Sequence, residues 1–126
     1  MNKKQEFRYE KCEEDIYNNI SKTFERTECF RVLDHAYAGT IDLVAHKSFE
    51  KPQEWSVSEL ITGFRIYSSS HKNRNRIVSK TVQVITGFGS RKILSVVDNT
   101  IRQDFNNRHL IEDKETNKTK QLVKTI

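Results

Sequence analysis

The chain has 126 residues, enough for one domain with one modest core. Leu, Ile, Val and Phe number 33, about a quarter of the chain, which lifts it above the composition of a disordered protein. Charged residues make up 31%, the mean hydropathy is -0.75, and no run of about 18 apolar residues occurs, so a membrane-spanning helix is excluded, as are a collagen, a disulfide mini-protein and a multidomain enzyme. Met1-Asn2-Lys3-Lys4-Gln5-Glu6 leads into no apolar stretch, so the expectation is a cytoplasmic chain without a secretory signal.

Residues 4–26 predict a helix. Cys12, Ile16, Ile20 and Phe24 recur at four-residue steps, with Tyr9 and Tyr17 beside them. Glu13, Glu14 and Asp15 come early and Lys22 and Arg26 late, an order that suits a helix dipole. Residues 29–47 then alternate. Phe30 and Val32 flank Arg31, while Ile41, Leu43 and Ala45 interleave with Asp42 and His46, and Ala38-Gly39 between them predicts a hairpin turn. Pro52 marks a loop.

Trp55 and Val57 alternate with Ser56 and Ser58, and Phe64 and Ile66 with Arg65 and Tyr67. With Thr62-Gly63 between them, 54–61 and 64–68 predict a tight hairpin, the alternative being one strand bulged at Gly63. Ile77, Val78, Thr81, Val82, Ile85 and Phe88 restore a helical period, with Ser69 or Ser70 as N-cap and Gly87 and Gly89 at the end. Ser90 opens a further helix whose apolar face is Ile93, Leu94, Val97, Ile101 and Phe105, fading at Asn106-Asn107. Residues 108–126 read as a polar tail carrying Lys114, Lys118, Lys120 and Lys124, either disordered or docked through Leu122 and Val123. The expected fold is α+β: an N-terminal helix, an antiparallel sheet of three to four strands, then two C-terminal helices packed on one face. The expected domain is 1–107, followed by the tail.

Cys12 and Cys29 form no CxxC pair, and His35, His46, His71 and His109 lack ligand spacing, so no metal or cofactor is expected. The two cysteines read as small buried hydrophobes, with a disulfide between them as the alternative.

The formal charge of +5 is unevenly placed. Leu60 to Val97, 38 residues, holds seven cations (Arg65, Lys72, Arg74, Arg76, Lys80, Arg91, Lys92) and no acid, against a net of -2 elsewhere. His71-Lys72-Asn73-Arg74-Asn75-Arg76 falls at the start of the second expected helix. Cations there oppose the dipole by roughly 0.3–1 kcal/mol each when exposed, and become favourable when an anion sits over the helix start. Asn73 and Asn75 add neutral donors, and Tyr67 and Trp55 offer rings for base stacking, while Phe64 and Phe88 read as core. The candidate binding residues are therefore Arg65, Tyr67, His71, Lys72, Asn73, Arg74, Asn75, Arg76, Lys80, Arg91 and Lys92. An acidic protein surface suits the same patch.

The order of elements over 4–88, with Lys72, Arg74 and Arg76 at a helix start, resembles the double-stranded-RNA-binding domain, whose second helix meets phosphates with its basic N-terminus. That resemblance implies a helix, three strands and a helix. It departs at Tyr37-Ala38-Gly39-Thr40, which has no counterpart of the family's loop, and in the Asn residues interleaved with the cations.

No nucleophile with a base and orienting partner emerges from Asp34-His35 or Asp42 and His46. Gly87-Phe88-Gly89-Ser90 joins two helices and lacks a P-loop context, and Asp42, Glu54 and Glu59 lack the E-x-K of a metal-dependent nuclease. The expected function is a non-enzymatic binding protein that engages nucleic acid or a nucleic-acid-handling complex through the basic patch. Lys-, Asn- and Ile-rich usage suits an AT-rich phage or mobile element, a source of small inhibitors of host nucleases such as those of CRISPR. The alternative is a protein–protein adaptor using Glu13, Glu14 and Asp15 on the first helix, or the tail.

Overall fold

A computed structural model describes residues 6–115, with side chains described for 6–102. Four strands, β1 (Tyr9–Asn18), β2 (Thr23–Val32), β3 (Leu43–Lys47) and β4 (Trp55–Glu59), precede two helices, α1 (Arg74–Phe88) and α2 (Ser90–Glu115). Each strand pairs antiparallel with the next, in the order β1-β2-β3-β4. The chain divides into two compact units after Ile93. Among the described residues no helix is long and apolar enough to cross a membrane.

The N-terminal helix is absent. Its residues form the β1–β2 hairpin, in full register from Tyr9 opposite Val32 to Asn18 opposite Thr23. A four-residue step returns a side chain to nearly the same side of a helix and to the same face of a strand, so Cys12 and Ile16 satisfied both periods. The step that distinguishes them is i+3, where Asp15 and Asn19 are polar. Ile16 is fully buried, but Ile20 and Phe24 are 61% and 44% exposed at the hairpin tip. The turn is built by Asn18, whose Oδ1 accepts from the amides of Ile20 (2.9 Å) and Ser21 (3.3 Å), and by Lys22 at φ 59°. Without a first helix, the likeness in layout to the double-stranded-RNA-binding domain does not hold.

β2 and β3 are joined by the 33–42 loop, in which Gly39 takes φ 86°. The segment 64–68 adds no strand. Arg65 makes a single bridge to Ser58, and Gly63 (φ 73°) turns the chain back against β1, where its carbonyl accepts from the Tyr17 amide at 3.0 Å. A Cβ at Gly63 would run into the Asp15 carbonyl oxygen.

Strand parity sorts the core into two layers. Val32, Leu43, Ala45 and Val57 are buried on one face. On the other, Ile16, Cys29 and Val44 form a cluster with Cys12, Phe49 and Leu60. α1 packs against β4 and buries Ile77, Val78, Thr81 and Ile85. The cap is Asn73, whose Oδ1 accepts from the Arg76 amide at 3.1 Å, in place of Ser69 or Ser70. Gly89 (φ 89°) ends α1, its amide bonding the Ile85 carbonyl at 2.8 Å, and α2 starts at the next residue. α2 passes through Asn106-Asn107 as far as Glu115. The rest of the expected tail, with Leu122 and Val123, lies outside the described residues.

Candidate functional site

The segment before α1 is pinned to the sheet by its backbone. His71 and Trp55 exchange amide–carbonyl bonds of 2.7 and 3.0 Å, the Ser70 hydroxyl donates to Glu54 (2.6 Å), and His71 Nδ1 accepts from the Asn73 amide (2.9 Å). Directly after Asn73, Arg74 opens the helix.

Arg74 does not point to solvent. Its guanidinium carbon lies 3.8 Å from the centre of the Tyr9 ring, 5.0 Å from Phe30 and 5.3 Å from Trp55. Phe30 and Trp55 themselves meet edge to face at 5.8 Å, and Lys47 Nζ stands 4.1 Å over Trp55. Asn75 joins this box, its Oδ1 accepting from the Tyr9 hydroxyl at 2.5 Å. Burial raises the Tyr9 pKa, against the lowering effect of Arg74. Arg74 and Asn75 thus fasten the helix start to the sheet. Tyr9, Phe30, Lys47 and Trp55 are the residues that sequence reasoning missed in this role. Trp55 alone carried a signal, as a candidate stacking ring, and it lies half-buried under two cations.

The remaining cations fall into two groups. Lys72 and Arg76 are exposed beside the box, and Lys80 follows Arg76 by four residues on the same side of α1. None of these three makes an ion pair with a described residue. The first turn of α1 holds no acid. The other group lies toward the far end of the helix, whose 15 residues span about 22 Å. There Arg65 and Tyr67 line a cleft of about 470 Å³ with Tyr17, Phe64, Val84 and Phe88. Arg91 and Lys92 are exposed at the start of α2, with Lys92 Nζ 5.5 Å from the Phe88 ring. Arg65 is already engaged, by Glu50 at 3.5 Å and by the Ser68 carbonyl at 3.2 Å. The Asn19 side chain and Arg65 together hold the Glu50 carboxyl below its ordinary pKa. The eleven expected residues therefore do not form one patch. Phe64 and Phe88, expected in the core, are 37% and 59% exposed, and Phe64 meets Tyr17 at a tilt (4.8 Å) and Phe24 edge to face (5.4 Å).

The acidic trio also separates. Glu13 and Asp15 share one face of β1 and both meet Arg26, at 3.9 and 3.5 Å, whereas Glu14 points to the other face. The acidic helix face that an adaptor would have used does not exist.

One buried pair has the chemistry of a base and a hydroxyl. His46 Nδ1 faces the Lys47 carbonyl at 2.9 Å and so carries the proton, which leaves Nε2 to accept from Ser58 Oγ at 2.7 Å. His46 is 1% exposed and Ser58 0%, so no substrate reaches them and the pair belongs to the core. Among the described residues no group of three or more His, Cys, Asp or Glu is placed to hold a metal ion. No protein-family model, curated protein or solved structure matches the chain.

Proposed function

We propose that the chain is a non-enzymatic binding protein that grips a nucleic-acid backbone with cations around the start of α1, two of them exposed and one half-buried. The observation that supports this reading is the set Lys72, Arg76 and Lys80. They stand without an acidic partner among the described residues, Lys72 just before the Asn73 cap and the other two on a helix that contains no acid at all. Arg76 sits at the third helical position, where the dipole disfavours a cation, and Lys80 repeats the charge one turn on at a cost of about 0.2–0.5 kcal/mol. A bound polyanion reverses both signs. Arg74, held over Tyr9 and beside Phe30 and Trp55, fixes the helix start against which the phosphates would lie. Competition with a host nuclease for the same backbone is the mode of action this suggests.

The test separates binding from folding by leaving Arg74 in place. Replacing Lys72, Arg76 and Lys80 together with Ala should abolish oligonucleotide binding at about 0.15 M salt while thermal unfolding stays within about 0.5 kcal/mol of the parent. In the parent, log affinity should fall linearly with log salt, with a slope near -0.9 for each phosphate engaged. Equal affinity in parent and triple variant would sink the proposal. So would capture by the parent of an acidic protein, with no affinity for oligonucleotides.

A further inference from the structure

Cys12 and Cys29 stand directly opposite each other in the β1–β2 ladder, their Sγ atoms 3.2 Å apart. The Tyr17 amide points out of the ladder to Gly63, so the alternate set of β1 residues, Cys12 among them, turns its backbone groups toward β2. In such a hydrogen-bonded pair the Cα atoms lie about 5.5 Å apart, inside the span of a disulfide. Both side chains point to the same face, into the cluster of Ile16, Val44, Phe49 and Leu60. The two differ in access, since Cys29 is fully buried and Cys12 only partly so. Burial, together with the Cys12 thiol, pushes the Cys29 pKa up to about 12, so it is a neutral thiol at physiological pH.

We propose that this pair is an oxidation site, at which a peroxide converts the dithiol into a disulfide across the hairpin. Cys12, the accessible sulfur, attacks a peroxide oxygen. The O–O bond breaks, one water leaves, and Cys12 becomes a sulfenic acid. The Cys29 sulfur then attacks the Cys12 sulfur, the S–O bond breaks, and the departing hydroxide takes the Cys29 proton as a second water. Two thiols lose two electrons in total, and one hydrogen peroxide becomes two waters. The sulfurs have only about 1 Å to close, from 3.2 Å to bonding distance, and no strand has to shift. Cys29 is placed to resolve the sulfenic acid, and because its thiol must lose a proton, the second step speeds up as pH rises. The link clips the hairpin midway along its length, and this inference does not depend on the nucleic-acid reading.

The experiment treats the reduced full-length chain with stoichiometric hydrogen peroxide and follows intact mass, alkylatable thiols and a peptide map. The expected product is a monomer lighter by two hydrogens, with no alkylatable thiol and a peptide linking Cys12 to Cys29. Its thermal midpoint should rise by several degrees, and a dithiol reductant should reverse it. Cys29→Ser, checked for native circular dichroism, should instead gain oxygen on Cys12. Oxygen accumulating on Cys12 of the parent while Cys29 stays alkylatable would overturn the proposal, as would disulfides formed only between chains.

Discussion

The β1–β2 hairpin and the exposed side of α1 are both densely charged, yet they handle charge in opposite ways. On the hairpin, cations face acids across or along the strands: Lys11 meets Glu28 at 3.4 Å, and Arg26 meets Glu13 and Asp15. Arg8 and Arg31, at the base of the hairpin, reach Asp34 (3.1 Å) and Asp42 (3.3 Å), and the Arg8 amide and guanidinium hold the Asp34 carboxyl below its ordinary pKa. Lys72, Arg76 and Lys80 have no such partner among the described residues. Charge that neutralises charge is part of the architecture, even where each exposed pair is worth only about 0–1 kcal/mol. Charge placed where helix energetics oppose it, with no acid beside it among the described residues, is what the proposed polyanion would neutralise.

The largest effect expected of a single substitution marks the boundary between these classes. Arg74 belongs to the basic segment by sequence but to the architecture by contact. Arg74→Ala should therefore cost about 1–2 kcal/mol in urea unfolding through loss of its contacts with Tyr9, Phe30 and Trp55. An unaltered midpoint would return Arg74 to the ligand-binding class. Acid should act next, through groups outside both regions. Burial lowers the pKa of His46 and of His35 below the ordinary 6.5. The unfolded chain then takes up protons near pH 6.5 that the folded chain refuses. Stability should be flat above about pH 7 and fall as pH drops below 6.5, by up to about 1.4 kcal/mol per pH unit for each histidine, until the folded groups titrate. His46→Gln should flatten that slope, and an unchanged slope would rule out His46 as a source. The smallest effects are the sharpest test. Arg26→Glu should destabilise by about 0.5–1 kcal/mol, because it sets a third acid beside Glu13 and Asp15. Arg76→Glu should stabilise by about 0.3–1 kcal/mol by suiting the dipole, while eliminating polyanion binding. Two losses of equal size would erase the distinction.

The parts of the fold that were legible in the sequence are those whose patterns fit only one period. Ile77-Val78 and Thr81-Val82 place apolar or small residues side by side at four-residue intervals, which no half-exposed strand does, and α1 forms there. Gly87-Phe88-Gly89-Ser90 likewise marks the break between helices where it occurs. The hairpin was misread because Cys12 and Ile16 fit both periods, and the decisive information lies in residues it pairs with, such as Cys29 and Glu28. The strand expected after Gly63 shrinks to the turn and one bridge: the Glu59 amide bonds the Phe64 carbonyl at 2.8 Å and Arg65 pairs with Ser58, while the Gly63 carbonyl is taken by Tyr17 of a distant strand. At the candidate site the exposed cations were legible as residue types in a run. The role of Arg74 was not, since its partners Tyr9, Phe30 and Trp55 come from three different strands and meet only through the sheet's register.

β1 is an outer strand of the sheet, and Gly63 meets that outer edge at Tyr17. By parity Tyr9, Lys11, Glu13 and Asp15 turn their remaining backbone donors and acceptors away from β2. An edge of this length is a template on which another chain can build, and strands of uncharged β-formers at such positions aggregate. Here three of the four residues are charged. Charged residues at such edge positions disfavour the addition of a strand from a second copy, so the acids that read in the sequence as the first turns of a helix have a physical use in a strand as well.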